Sequence, residues 1–225
     1  MAAPPGAKKR DYWWTVLAVD PLAVPLTRLL AARRWLTPDG VTLVALLLGL
    51  PVGLAYASGT RAGLVVGAVL FYLSFVFDCV DGKLARMLGS SSPRGKALDT
   101  LADSGRRASA CIGLSVYLWR APEVATRAVW WAFLFGILSF YFMEISGAER
   151  AEPSTRIGSR WSEALARRRL LPTPGMPDVS ALVFVIGPLT GLVVPALGLG
   201  LAMLAVAFAI TVRRLLRTGD GDARG

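Results

Sequence analysis

Aspartates sit where two long apolar runs meet, and this feature limits what the chain can become more than any other. The run LVVGAVLFYLSFVF leads into Asp78 and Asp81, and Asp99 and Asp103 precede ASACIGLSVYLW. The first pair is spaced i, i+3 and the second i, i+4, so on helices each pair lies on one face about a turn apart. Two helices joined through Ser90, Ser91, Ser92 and Pro93 therefore aim four carboxylates at one place near a membrane surface. One aspartate at mid-helix in a bilayer costs roughly 2.5–3.5 kcal/mol on insertion scales. Four of them need cationic compensation, and an all-oxygen ligand set suits a hard divalent ion such as Mg2+ or Mn2+.

Six apolar runs approach the ~20 residues that a helix needs to cross a bilayer. The net charge of +10 does not point to nucleic acid here. The basic residues cluster between apolar runs, where membrane topology and anionic lipid or phosphate substrates account for them. Histidine is absent, which removes the usual general base and leaves carboxylates for acid–base work. Cys79 and Cys111 lie in apolar context without metal-ligand spacing and read as ordinary buried thiols. MAAPPGAKKR is not followed by a short apolar core and cleavage site, so no cleavable signal peptide is expected.

Residues 11 to 35 mix aromatics, apolar residues and arginines, and Pro21 and Pro25 are expected to interrupt any single long helix. They predict an interfacial amphipathic segment with Trp13, Trp14 and Trp35 at headgroup level. Helix one is predicted over about 38–57, with Thr37 as N-cap, Pro38 at the first position and Asp39 at the positive end of the dipole. Helix two covers about 62–88, helix three 96–119, helix four 126–147, helix five 177–194 and helix six 196–212, with a tight turn near Pro195 between the last two. The fold class is thus an all-α membrane protein: six transmembrane helices after an N-terminal interfacial helix. Residues 1–35 form the N-terminal segment, 36–214 the membrane domain and 215–225 a cytoplasmic tail. Lysine and arginine concentrate in the N-terminal segment, after helices two and four, and at the C-terminus. That bias puts both termini and the aspartates in the cytoplasm, and Trp119, Trp130 and Trp131 at the opposite interface.

Small residues surround the acids. Gly82 and Gly95 let a helix or ligand approach closely, and Ala85 serves the same end. Arg86 is placed to bind a phosphate or pair with an aspartate. Lys83, Arg94 and Lys96 read either as partners of an anionic ligand or as positive-inside flanks. The plain alternative for the aspartates is ion pairing with Arg86, Arg106 and Arg107. Gly63–Gly67 and Gly187–Gly191 are G-x-x-x-G runs, better suited to packing within one bundle than to a dimer seam.

The pattern Asp78-x2-Asp81-Gly82-x2-Ala85-Arg86-x8-Gly95-x3-Asp99-x3-Asp103 resembles the signature of the CDP-alcohol phosphotransferases in every fixed position and gap. Thr37-Pro38-Asp39-Gly40-Val41-Thr42 resembles the TPxxVT stretch common in that family. The resemblance implies an integral membrane enzyme that moves a substituted phosphoryl group from a CDP-linked donor to an alcohol, releasing CMP, in phospholipid synthesis. It implies two divalent cations, Mg2+ or Mn2+, on Asp78, Asp81, Asp99 and Asp103, with Asp103 as general base. It places Thr37, Pro38, Asp39, Thr42, Gly82, Ala85, Arg86 and Gly95 at the CDP donor, and it implies a homodimer.

The acceptor is less sharply marked. Family members using inositol phosphate or glycerol phosphate often carry a KARAE-like stretch after helix four; here Glu149-Arg150-Ala151-Glu152 lacks the leading lysine. Arg150, Arg156 and Arg160 suit an anionic acceptor, and equally a headgroup contact. Glu144, an acid inside helix four, is an acceptor-site candidate, and its alternative is pairing with an arginine. CDP-diacylglycerol fits as donor, with its tails in lipid and its pyrophosphate at the metals. The alternatives are a soluble CDP-alcohol donating its headgroup to a lipid or small alcohol, and a divalent-cation transporter. The partners expected are donor, acceptor and membrane lipids, without nucleic acid, at the cell (inner) membrane.

Overall fold

The computed structural model describes residues 4–90, 92–121, 127–148, 160–173 and 175–222. The helices are α1 (Asp20–Arg33, entered through a π turn at Thr15–Val19), α2 (Pro38–Gly49), α3 (Val52–Ala57), α4 (Arg61–Leu88), α5 (Pro93–Arg120) and α6 (Arg127–Ala148). They continue as α7 (Arg160–Arg167), α8 (Met176–Ala181), α9 (Gly187–Thr190) and α10 (Val193–Asp222), with a π turn at Leu182–Ile186 between α8 and α9. No strand occurs among the described residues. Four helical stretches are long and apolar enough to cross a membrane: Thr15–Arg33, Pro38–Ala57, Arg61–Leu88 and Val193–Arg213. Two further apolar helices, Ala128–Glu144 and Met176–Thr190, are shorter. α5 carries the charges of the site along its first half.

Two sequence expectations need correction. Pro21 and Pro25 do not interrupt the N-terminal helix. Pro21 falls at the start of α1, where a missing N–H costs little, and Pro25 lies inside α1, which runs on to Arg33. The turn between the last two spans belongs to Gly191, whose φ of 81° is left-handed, while Pro195 lies inside the first turn of α10. Trp13 and Trp14 are held by protein. Trp13 Nε1 donates to the Leu171 carbonyl at 2.7 Å, and Trp14 stacks edge-on against Tyr72. Trp35, Trp119 and Trp130 remain largely exposed.

The core forms where α4 meets its neighbours. Val76, Val80 and Leu84 of α4 pack with Val19, Ala23 and Leu30 of the N-terminal helix and Val41 of α2. Phe71, Leu64 and Tyr56 join Leu114 and Leu118 of α5, Phe135 of α6 and Phe184 in a larger cluster. The span Pro38–Ala57 is broken at Pro51, and α5 repairs the break: Ser109 Oγ donates to the Leu50 carbonyl and accepts from the Gly53 N–H. Gly53 and Gly113 let the two backbones touch, since a Cβ on either would run into the other helix. This contact fixes the depth of α5 against α2 and α3, and with it the position of the acids near its start. Gly67 packs against the Tyr56 ring, so the first G-x-x-x-G run serves packing inside the bundle.

Candidate active site

α4 ends at Gly89, which adopts φ 62°, and α5 begins after Ser92, whose hydroxyl accepts from the Gly95 N–H at 2.9 Å. This short turn brings the acidic end of α4 beside the acidic start of α5. Asp78, Asp81 and Asp99 each offer a carboxylate oxygen, and these oxygens lie within 4.8 Å of one another. Thr42 of α2 supports the group by donating its hydroxyl to Asp81 Oδ2 at 2.6 Å. Asp78 Oδ1 is buried without a hydrogen-bond partner among the described residues. Three carboxylate oxygens within 4.8 Å of one another fit a hard divalent cation.

Asp103 is placed differently. Its carboxylate is ion-paired with Arg106 and with Arg107, the latter at 2.8 Å. Arg106 also approaches Asp78 Oδ1, at 3.8 Å. The structure therefore joins three of the four aspartates directly and holds the fourth through arginines. For Asp103 the ion-pair alternative describes its present partners. Among the described residues Arg86 pairs with no aspartate; its Nε donates to the Gly6 carbonyl.

A cavity of about 770 Å³ opens above Asp81 and Asp99. Pro38, Asp39, Thr42, Gly82, Ala85, Arg86 and Gly95 line it, as expected of a donor site, and Lys96 joins them. Thr37 does not line it; its hydroxyl accepts from the Gly40 N–H at 3.2 Å and caps α2. Gly95 has a steric reason: a Cβ there would lie 2.9 Å from Asp39 Oδ1. Arg86 reaches the cleft while donating its Nε to the Gly6 carbonyl at 2.7 Å. The N-terminal segment thus closes one side, and Lys8 lies near enough to act on the charge of Asp99.

Sequence reasoning missed a buried ion triad beside this wall. Lys83 turns away from the cleft and pairs with Asp20 of α1 at 3.0 Å, and Asp20 also pairs with Arg169 at 3.1 Å. Arg169 further donates to the Lys8 carbonyl. An acid inside an apolar segment, Asp20, was the available signal. Asp178 caps α8 by accepting from Gly175 N–H, and it also accepts the Trp14 N–H at 2.6 Å. Of the acceptor candidates, Glu144 is exposed on α6 and has no partner among the described residues. Arg150 and Arg156 lie outside those residues, and Arg160 opens α7 with its side chain outside them. Both cysteines are free.

The sequence model of the family described as CDP-alcohol phosphatidyltransferase matches residues 35–213. A phosphatidylinositol phosphate synthase of Corynebacterium glutamicum is 34% identical over 107 residues, 46% of this chain and 48% of that protein. The match thus spans about half the length of that curated relative. Solved structures of the phosphatidylinositol phosphate synthase of Mycobacterium tuberculosis share the fold. The one with CDP-DAG bound is 25% identical, with a TM-score of 0.62 over 87% of this chain and 92% of that one. The one in complex with manganese and citrate is 27% identical, with a TM-score of 0.58 over 88% of each chain.

Proposed function

Since the chain belongs to the CDP-alcohol phosphatidyltransferase family, we propose that it is a membrane transferase of phospholipid synthesis. It moves a phosphatidyl group from CDP-diacylglycerol to the hydroxyl of an acceptor alcohol and releases CMP. One observation carries the reading: Asp78, Asp81 and Asp99 converge, and two of them open onto a cleft lined by seven of the eight expected donor residues. A solved relative that binds CDP-DAG supports the donor, and another that holds manganese supports the metal.

In this reading Asp78, Asp81 and Asp99 hold the divalent ions, Mg2+ or Mn2+, with Thr42 orienting Asp81. Bound there, two such ions would neutralise the donor pyrophosphate and stabilise the leaving CMP. Arg86 and Lys96 add positive charge along the cleft for the same pyrophosphate. Asp39, an acceptor held over Gly95, suits the amino and hydroxyl donors of cytidine. Asp103 takes the proton of the acceptor hydroxyl. With no histidine in the chain, a carboxylate is the available base at this site. The acceptor side is assigned to Glu144, Arg150, Arg156 and Arg160, on and after α6. The transferase domain is 36–214, between the N-terminal segment 1–35 and the tail 215–225. The lysine and arginine bias supports a cytoplasmic site and cytoplasmic termini. A homodimer in the cell membrane completes the reading.

The test uses the full chain purified in detergent. CDP should raise its melting temperature in Mg2+ or Mn2+ and leave it unchanged in chelator. A nucleotide effect that ignores the ion, or none with the ion present, overturns the proposal. A panel of acceptor alcohols with CDP-diacylglycerol, read by CMP release, identifies the acceptor.

A further inference from the structure

We infer that Arg169 is a positioning residue for the donor cleft: from the turn after α7 it pins the N-terminal segment, and that segment holds Arg86 ready for the donor's pyrophosphate. The inference rests on the transferase reading above and adds to it a residue far from the acids.

Arg169 stands where a glycine is usual. α7 closes with the Arg169 N–H on the Ala166 carbonyl at 3.0 Å and the Leu170 N–H on the Leu165 carbonyl at 2.9 Å. The left-handed residue of such a helix stop is most often glycine, and here Arg169 takes that place at φ 63°. A side chain in that conformation crowds the backbone, and such strain persists only where the surroundings hold it. The Arg169 side chain is held twice. Nη1 pairs with Asp20 Oδ2 at 3.1 Å, and Nη2 donates to the Lys8 carbonyl at 3.1 Å. Asp20 is buried and also pairs with Lys83, so the arginine is tied to α4, the helix that carries Asp78 and Asp81. The main chain adds a further hold, the Arg169 carbonyl accepting the Asp11 N–H at 2.8 Å.

The segment so pinned reaches the cleft. Pro5 and Gly6 make a tight turn, closed by the Ala7 N–H on the Pro4 carbonyl at 3.0 Å, with Gly6 at φ 74°. Gly6, just before Lys8, lies against the Lys83 carbonyl with no room for a side chain. Its own carbonyl accepts from Arg86 Nε at 2.7 Å. That bond commits Nε and leaves both Nη groups of Arg86 without a hydrogen-bond partner among the described residues. Nη1 stands over Gly82, 3.4 Å from where a Cβ would be, beside Asp81 in the chain. A long arginine fixed in place before its ligand arrives loses less freedom when it binds a phosphate. Removing the Arg169 side chain frees Lys8, and the Gly6 carbonyl then has no fixed place from which to hold Arg86.

The full chain in detergent is titrated with CDP in the presence of Mn2+, and separately with Mn2+ alone, by isothermal calorimetry. Arg169→Gly suits the test, because glycine fits the left-handed stop and Asp20 keeps Lys83 as its partner. CDP should bind about three- to tenfold more weakly, the effect of ordering one long side chain during binding. Mn2+ alone should bind within about twofold of the natural protein, since Arg169 touches none of the acids that would hold it. A merely structural role would weaken both. In an Arg86→Gln background the same substitution should weaken CDP by less than about twofold, because its route is already cut. If Arg169→Gly does not fold, Arg169→Lys keeps a charge beside Asp20, loses the fork that spans Asp20 and Lys8, and should weaken CDP in the same direction. Unchanged CDP binding, equal losses of CDP and Mn2+, or an undiminished loss in the Arg86→Gln background overturns the inference and leaves the transferase reading standing. A natural protein that binds no CDP with Mn2+ present would overturn the transferase reading itself.

Discussion

Replacing Thr42 by valine tests how the centre is held. The Thr42 side chain is 4% exposed, and its hydroxyl donates to Asp81 Oδ2 at 2.6 Å. Valine keeps the shape and removes the donor. The Pro38 carbonyl, 3.1 Å from the same hydroxyl, does not replace it, because that oxygen only accepts. A hydrogen bond to a charged group contributes about 1.5–3 kcal/mol. Converted at 1.4 kcal/mol per factor of ten, that is a loss of ~10–150-fold. The bond orients Asp81 with or without an ion, so part of its strength cancels between the two states. The visible weakening of Mn2+ binding should therefore fall near the lower end, about tenfold. Isothermal titration of the purified variant with Mn2+ reads it directly. Thr42→Ser keeps the hydroxyl and should bind within about threefold of the natural protein. A Thr42→Val protein that binds Mn2+ normally, or a Thr42→Ser protein that fails as badly, would refute the claim that this hydroxyl orients Asp81.

Two further outcomes are expected. Asp103→Asn should lower turnover by about 10²–10⁴-fold, while CDP still raises the melting temperature in Mn2+; normal turnover would take Asp103 out of the base role. Gly53→Ala should destabilise the fold by about 1–3 kcal/mol, since the new methyl meets the Ser109 backbone of α5. Gly105→Ala on α5, where a Cβ meets only leucine methyls at 3.5 and 3.6 Å, serves as the control and should melt no lower than the natural protein.

Much of the site was legible because it depends on local geometry. Aspartates three and four residues apart share a helical face whatever the bundle does, although the second helix opens at Pro93 behind a Ser92 cap, three residues before its expected start. Thr37 capped its helix as expected, although it did not reach the cleft. The rest depends on which faces of distant segments meet. Lys83 read as a ligand partner or a flanking charge because nothing near it in the chain shows that Asp20, over sixty residues earlier, will lie against it. Arg106 and Arg107 entered the sequence reading only as the plain alternative to metal binding, and the slot that holds Arg106 between Phe71, Phe75 and Ser74 arises only when α4 and α5 are packed. The prolines misled for a related reason. Pro21 follows a π turn and Pro25 sits inside α1 without ending it, and the break at Pro51 is mended by a serine on another helix.

The amino-terminal wall has a practical side. Gly6 accepts a hydrogen bond from Arg86, and a Cβ on Gly6 would come within 2.5 Å of the Lys83 carbonyl. Asp11 is bonded by its backbone to Arg169 and Leu171. Affinity handles or reporter fusions spliced ahead of Gly6 load a segment that Arg86, a residue lining the cleft, holds by a hydrogen bond. A fusion assayed beside the same protein with its handle cleaved off shows how much that hydrogen bond matters to the cleft.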